Sequence, residues 1–458
     1  MHVYWEFLAK LKRTLFQGER MIDAMNPTIL AVAIFLITYA IIITEKASRS
    51  AIAVFGGALL IVFGILNLDQ VFEKYIEWNT ITLLIGMMIL VGIVNKTGIF
   101  QYVAIKSAKA AKGNPVRILI ILSVFTAVAS AFLDNVTTVL LLVPVTLAIT
   151  NILELNPTPF LISEILASNI GGTATLIGDP PNIMIGSANK HLSFNDFLLH
   201  LSPVVLIIMI ATLLVLYLIY RRQLTIPGKN VQKLMELDES DYIKNPALMR
   251  KSLIILGLTI LAFLLHSVIH LEASIIAITG ATLLMIVGLN KEEAEEALDS
   301  VDWVTIFFFI GLFTLVGGLQ EVGVIKYLAV KSLDLTHGDI PLTSALILWG
   351  SGFASATIDN IPFVATMIPL IRDIADSLGL SIDSPAINAL WWSLALGACL
   401  GGNGTLIGAS ANVVVANIAE REGKAFSYWD FLKIGAPLTL LSLLIAQLYL
   451  YFRYLIHF

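Results

Sequence analysis

The stretch Trp78-Asn-Thr-Ile-Thr-Leu-Leu-Ile-Gly86 returns 225 positions later as Trp303-Val-Thr-Ile-Phe-Phe-Phe-Ile-Gly311, and no other feature narrows the fold as much. At the same spacing Gly98 to Ser107 matches Gly323 to Ser332, and Asp134-Asn135 and Pro144 match Asp359-Asn360 and Pro369. Gly171-Gly172, Thr175-Leu-Ile-Gly178 and Asn182 recur 230 positions on as Gly401-Gly402, Thr405-Leu-Ile-Gly408 and Asn412. Apolar helices that resemble each other by chance share hydrophobicity but not glycines and polar residues in register. The chain therefore reads as a duplication.

Each copy is built for a bilayer. The chain is 57% hydrophobic and 13% charged, against about 25% charged residues in soluble domains. Apolar runs near the roughly 20 residues that cross a bilayer recur from Pro27 to Phe458. The expected fold is all-α and polytopic, placed in the inner (plasma) membrane. Three spans open each half, near 27–44, 51–67 and 79–95, and again near 250–268, 273–289 and 303–320. An amphipathic segment follows, with Lys106, Lys109 and Lys112 opposite Phe100, Val103 and Ala104. Next comes an apolar region, 116–150 or 341–372, interrupted by the Asp-Asn pair. Its arms, about 16 residues each, read as a re-entrant hairpin because they are short for full crossings. A helix broken between Gly171 and Asn182, or Gly401 and Asn412, and a closing span near 200–220 or 432–456 complete each half.

Each half then crosses five times, or seven if both arms span, and either odd number turns the second half upside down. The divisions expected are an amphipathic N-terminal segment 1–22, a first inverted repeat 23–220, a linker 221–251 and a second inverted repeat 252–458. Arg221, Arg222, Lys229, Lys233, Lys244, Arg250 and Lys251 place the linker in the cytoplasm.

Two polar clusters lie within this apolar sequence, each present twice. Ser130 to Thr138 is paired with Ser355 to Pro362, and a carboxylate at bilayer depth, here Asp134 or Asp359, marks a transport pathway unless it merely sits in a surface turn. Ser168 to Asn182 is paired with Gly401 to Asn412. Glycines and prolines this dense unwind a helix and free backbone groups for a polar solute or an ion; helix packing alone would explain the glycines but not Asp179, Pro180 and Pro181. The residues expected to bind substrate are Asn135, Thr137, Thr175, Asn182, Asn360, Thr405 and Asn412, and those expected to couple an ion are Asp134, Asn169, Thr173, Asp179 and Asp359. The first half is the more polar, with Ser168, Asn169 and Asp179 where the second has Ala398, Cys399 and Ala409. Glu164 sits in an apolar run and reads either as a proton carrier or as a helix-end carboxylate at the interface. Cys399, the single cysteine, excludes an intramolecular disulfide and reads as core packing.

Other functions are poorly served. There is no G-x-x-x-x-G-K-[ST] loop for a nucleotide, and the seven histidines have no ligand spacing for a metal. A formal charge of −5 spread over the loops points to no nucleic-acid partner. An intramembrane aspartyl protease would use Asp134 and Asp359 as a dyad but would leave the duplicated Thr and Asn breaks without a role. A channel shares the hairpins, yet paired broken helices in inverted repeats belong to carriers.

Ser130 to Val145 and Ser168 to Asn182 resemble the signature segments of the arsenite permease, NhaD sodium/proton antiporter and melanosomal P-protein group of the ion transporter superfamily, a likeness that runs from Pro27 onward. The resemblance implies a scaffold of early spans, a mobile unit of hairpins and broken helices, a homodimer, and site roles for the twelve residues above. It makes the expected function ion-gradient-coupled secondary transport: arsenite/antimonite efflux coupled to protons, with sodium/proton exchange or dicarboxylate-type anion permeation as alternatives. No cofactor is expected beyond a coupling proton or sodium ion. The partners expected are a small ion or polar solute and the lipid bilayer, with a soluble ATPase left open.

Overall fold

The computed structural model describes residues 26–44, 46–224 and 230–456, so the N-terminal segment 1–22 lies outside the described residues. The described residues form helices and no strands. Each half contributes nine principal helices. The first half supplies α1 (Pro27–Ile43), α2 (Arg49–Val62), α3 (Trp78–Lys96), α4 (Ile99–Ala110), α5 (Pro115–Phe132), α6 (Asn135–Ile152), α7 (Thr158–Gly172), α8 (Pro180–Ala188) and α9 (Phe194–Tyr220). The second supplies α10 (Pro246–Ile269), α11 (Ala273–Gly288), α12 (Trp303–Glu321), α13 (Val324–Thr336), α14 (Ile340–Thr357), α15 (Asn360–Leu378), α16 (Pro385–Gly401), α17 (Ser410–Arg421) and α18 (Tyr428–Leu450). Several starts follow one recipe. Asn26, Asn114 and Asn245 each cap a backbone N–H of a helix that begins with proline, whose missing N–H would go unused there anyway.

The duplication is visible in the packing. α2 pairs with α12 as α11 pairs with α3, and α5 pairs with α7 as α14 pairs with α16. Glycines set the first of these contacts. A Cβ on Gly86 would lie 2.6 Å from the Ile278 nitrogen of α11, and one on its repeat-mate Gly311 would lie 2.4 Å from Val54 nitrogen in α2. The third span of each half thus packs on the second span of the other.

The described chain forms two compact units that do not follow the sequence halves. One comprises the chain up to Glu77 with Trp303–Ser332, and so holds α1, α2 and α12; the other comprises Trp78–Asp302 with Leu333–Phe458. In the second unit α7 is buried from Pro159 to Gly172, and α16 is buried along nearly its whole length. By contrast α9 and α10 carry exposed rows, among them Leu206, Ile210 and Leu214, and Ile254, Leu258 and Leu261. An apolar surface of this kind suits lipid contact. Among the described residues, seven helices are long and apolar enough to cross a membrane.

One local expectation changes, and the structure adds two features. Both arms of the first hairpin, α5 and α6, are 18 residues long and reach the length of a crossing, because Asn114 and Asp134 start their helices earlier than the apolar pattern does. The segment 68–78 is not an open loop: Leu68–Gln70 carries a capping box and continues as a π-turn, Val71–Tyr75. The linker is docked rather than loose. Lys109 on α4 lies 2.6 Å from Glu239 and donates to the Leu237 carbonyl at 2.8 Å, and the Lys244 N–H reaches the Thr97 carbonyl at 3.1 Å.

Candidate functional site

The polar clusters fold into two matched devices. In the first half the helix α7 stops at Gly172, and α8 resumes at Pro180. The turn of the α5/α6 hairpin is pinned to this break: Ser130 Oγ donates to the Ser168 carbonyl at 2.7 Å, and Thr175 Oγ1 donates to the Ala131 carbonyl. In the second half Ser355 Oγ donates to the Ala398 carbonyl at 2.6 Å, and Thr405 Oγ1 to the Ala356 carbonyl. A Cβ on Gly171 would lie 2.1 Å from the Ala127 oxygen, and one on Gly401 would lie 2.5 Å from the Gly352 oxygen, so both contacts require glycine.

Each break also delivers an asparagine in the first turn of the resuming helix. Asn182 donates to the Thr173 and Thr175 carbonyls at 3.0 and 2.8 Å, and Asn412 to the Gly402 and Thr405 carbonyls at 2.8 and 2.9 Å. These side chains satisfy carbonyls that the interrupted helices leave behind. Their own oxygens then receive a donor from the opposite half. Asn169 Nδ2 donates to Asn412 Oδ1 at 2.9 Å, and Cys399 Sγ lies 3.5 Å from Asn182 Oδ1. Asn169 and Cys399 are repeat-mates, so this is one contact made twice with different chemistry.

Asn169 is the junction of the cluster. Its Oδ1 accepts from Asn135 Nδ2 at 3.0 Å, and its Nδ2 is shared between Asn412 and Asn403, both at 2.9 Å. Asn403 in turn donates to the Leu166 carbonyl at 3.3 Å. Asp179, the N-cap of α8, is 1% exposed and makes no capping bond. Its Oδ1 accepts from Asn135 Nδ2 at 3.4 Å, with Cys399 and Asn360 also against the carboxylate, while its Oδ2 has no hydrogen-bond partner among the described residues. The cluster therefore joins the first turns of four helices, α6, α8, α15 and α17, around one acid. Three of those helices have an aspartate as N-cap, Asp134, Asp179 and Asp359, at the positive ends of their dipoles.

The structure brings together Asn135, Asn169, Asp179, Asn182, Asn360 and Asn412 of the expected site residues. The threonines do different work: Thr173 Oγ1 donates to the Asn169 carbonyl at 2.7 Å, while Thr175 and Thr405 hold the hairpin turns. Asp134 caps α6, taking the Thr137 N–H at 2.8 Å on one oxygen and the Thr137 hydroxyl at 2.5 Å on the other. Asp359 accepts from the Ile361 N–H at 3.3 Å and from Ser410 Oγ at 3.0 Å. Two members went unrecognised in the sequence. Asn403 stands where the first half has Thr173, so a search for matched polar positions passes over it. Cys399 read as core packing and instead contacts two polar members of the cluster. Glu164 is fully buried in the middle of α7, which overturns its reading as an interfacial helix-end carboxylate.

The citrate transporter (CitMHS) family profile matches residues 39–397. An uncharacterized transporter of Mycobacterium tuberculosis is 44% identical over 433 residues, covering 94% of this chain and 99% of its own. Human P protein is 34% identical over 501 residues, covering 92% of this chain and 59% of its own length, which supports the P-protein part of the resemblance. The YdaH transporter of Alcanivorax borkumensis shares the fold, with a TM-score of 0.59 at 13% identity over 93% of this chain and 98% of that one. The chain belongs to the citrate transporter family and is a polytopic secondary transporter.

Proposed function

We propose that the chain is an ion-coupled carrier of the plasma membrane in which a proton or sodium ion neutralises Asp179 while the surrounding asparagines hold a small polar solute. One observation carries the reading. Asp179 Oδ2 is buried without a partner, and no Lys, Arg or His pairs with the carboxylate among the described residues. A carboxylate so placed needs a proton or cation to be stable. The amides of Asn135, Asn169, Asn360 and Asn403 offer donors and acceptors without positive charge, which suits an uncharged hydroxylated solute. Arsenite or antimonite, exported in exchange for protons, fits this chemistry; sodium/proton exchange would use the same acid. The citrate of the family description favours a second reading, a carboxylate anion met by the four helix N-termini together with cotransported cations. In either case the two hairpins enter from opposite sides and move with the broken helices.

The test is uptake into proteoliposomes of arsenite, sodium ion and citrate under imposed proton or sodium gradients, with and without ATP. Uphill flux should follow an ion gradient and ignore ATP, and Asp179→Asn should lose that dependence. Uphill flux that needs ATP and a soluble ATPase, or Asp179→Asn with an unchanged gradient response, overturns the proposal.

A further inference from the structure

Glu164 lies on α7 outside the amide cluster, and nothing in the preceding reading uses it. It is fully buried. Its Oε1 accepts from Thr146 Oγ1 of α6 at 2.5 Å, and its Oε2 has no partner among the described residues. Around it lies the apolar cluster that includes Leu142, Val145 and Ile149 of α6 with Leu161 and Ile165 of α7. An ionised carboxylate facing only a hydroxyl in such surroundings is untenable, so the acid carries a proton in this arrangement.

The duplication shows that the fold does not need this polar pair. The repeat-mates of Thr146 and Glu164 are Ile371 on α15 and Leu394 on α16, both fully buried. The second half therefore seats its hairpin arm on its broken helix with two aliphatic side chains where the first half uses a hydroxyl and an acid. Buried polar pairs replaced by apolar residues of similar volume are often neutral or stabilising. A buried acid that its own repeat dispenses with is retained for something other than packing.

The helices packed on α7 are α5, α6, α9, α16 and α17. Their titratable and charged groups are Arg117 on α5, Asp196, His200, Tyr217 and Tyr220 on α9, Cys399 on α16, and Glu420 and Arg421 on α17, with none on α6. None of these bonds to Glu164 among the described residues, which leaves Thr146 as its polar contact. That contact crosses from the hairpin to the broken helix, inside the unit that the carrier reading moves.

We propose that Glu164, held by Thr146, is a second proton-binding site, separate from Asp179, that is loaded while the Thr146 contact is closed and unloaded when that one contact opens within the moving unit. As the Thr146 hydroxyl withdraws, water reaches the carboxyl group, the O–H bond breaks and the proton passes to that water; the reverse step reloads it. This rests on the carrier reading.

The test compares wild type with Glu164→Gln, Glu164→Leu and the double change Thr146→Ile/Glu164→Leu, which copies the second half and so should fold. Each is reconstituted, and steady accumulation of arsenite, or of citrate where arsenite is not moved, is measured under a pH gradient. One pH unit of gradient acting on one proton corresponds to a tenfold accumulation ratio. Loss of one coupled proton should therefore lower the plateau about tenfold per pH unit in all three variants, and flatten the pH profile of flux. Folded variants that keep the wild-type plateau and pH profile overturn the second site while leaving the carrier reading intact. A wild type that ignores the proton gradient overturns the second site too, and if it also ignores sodium the carrier reading falls with it.

Discussion

Replacing Asn169 tests whether the amide cluster holds the two halves together. Asn169→Leu keeps the branched side-chain skeleton but removes three buried hydrogen bonds at once, from Asn135 and to Asn403 and Asn412. The neighbours keep some partners. Asn412 still donates to two carbonyls, Asn403 to the Leu166 carbonyl, and Asn135 reaches Asp179. The loss is then about 1 kcal/mol per bond, or about 3 kcal/mol in all, and greater if the stranded oxygens of Asn403 and Asn412 find no water. Each kcal/mol shifts the midpoint of a protein of this size by about 1 °C, so unfolding should come about 3 °C early. Asn169→Cys installs the residue of the other half, whose thiol meets Asn182 at 3.5 Å, and should recover about a third of the loss. Thermal unfolding in detergent, followed by the fluorescence of the buried Trp391 and Trp392, reads both variants. An Asn169→Leu protein that melts at or above the wild-type temperature would refute the claim that this residue ties the halves.

Two further outcomes are expected. Lys109 beside Glu239 holds that carboxyl below the ordinary carboxylate range. The folded value is the lower one, so the contact supports linker docking above the ordinary carboxylate range and fades as pH falls through the depressed value. Protection from hydrogen exchange across residues 237–244, taken relative to each amide's intrinsic rate, should fall in acid, and Lys109→Ala should lower it already at neutral pH; unchanged protection in that variant contradicts the docking role. Inverted halves also require that single cysteines at Val116 and Leu342, near the bases of the two hairpins, react with an impermeant thiol reagent from opposite sides of the membrane. Labelling from one side alone removes the inversion.

Much of this was legible because duplication preserves contacts as well as residues. The pairs Gly86 and Gly311, Ser130 and Ser355, Thr175 and Thr405, and Asn182 and Asn412 each make the same contact twice, and each could be found by shifting the sequence against itself. The same comparison hid residues that differ between the copies. Asn403 and Cys399 belong to the cluster because their neighbours come from the opposite half, and that proximity leaves no periodic trace. Sequence position does not say what a polar atom spends its bonds on. Asp134 read as a carboxylate at bilayer depth that marks a pathway, and in the structure both of its oxygens serve Thr137 at the start of α6.

The asymmetries have a further consequence. Where the copies agree, the shared residues close the breaks: Asn182 and Asn412 satisfy carbonyls, and Ser130 and Ser355 fasten hairpin turns. Where they differ, the first half holds the acid, with Asp179 against Ala409 and Glu164 against Leu394. A carrier with two equivalent halves could place its ion site in either, but a second acid opposite Asp179 would set two like charges side by side in a dry interior. Such a pair cannot be ionised together without further cations. The copies share the capping pair Asp134 and Asp359, so what sets the first half apart is the two further acids, Asp179 and Glu164. Installing Ala409→Asp should therefore impair the carrier rather than double its coupling.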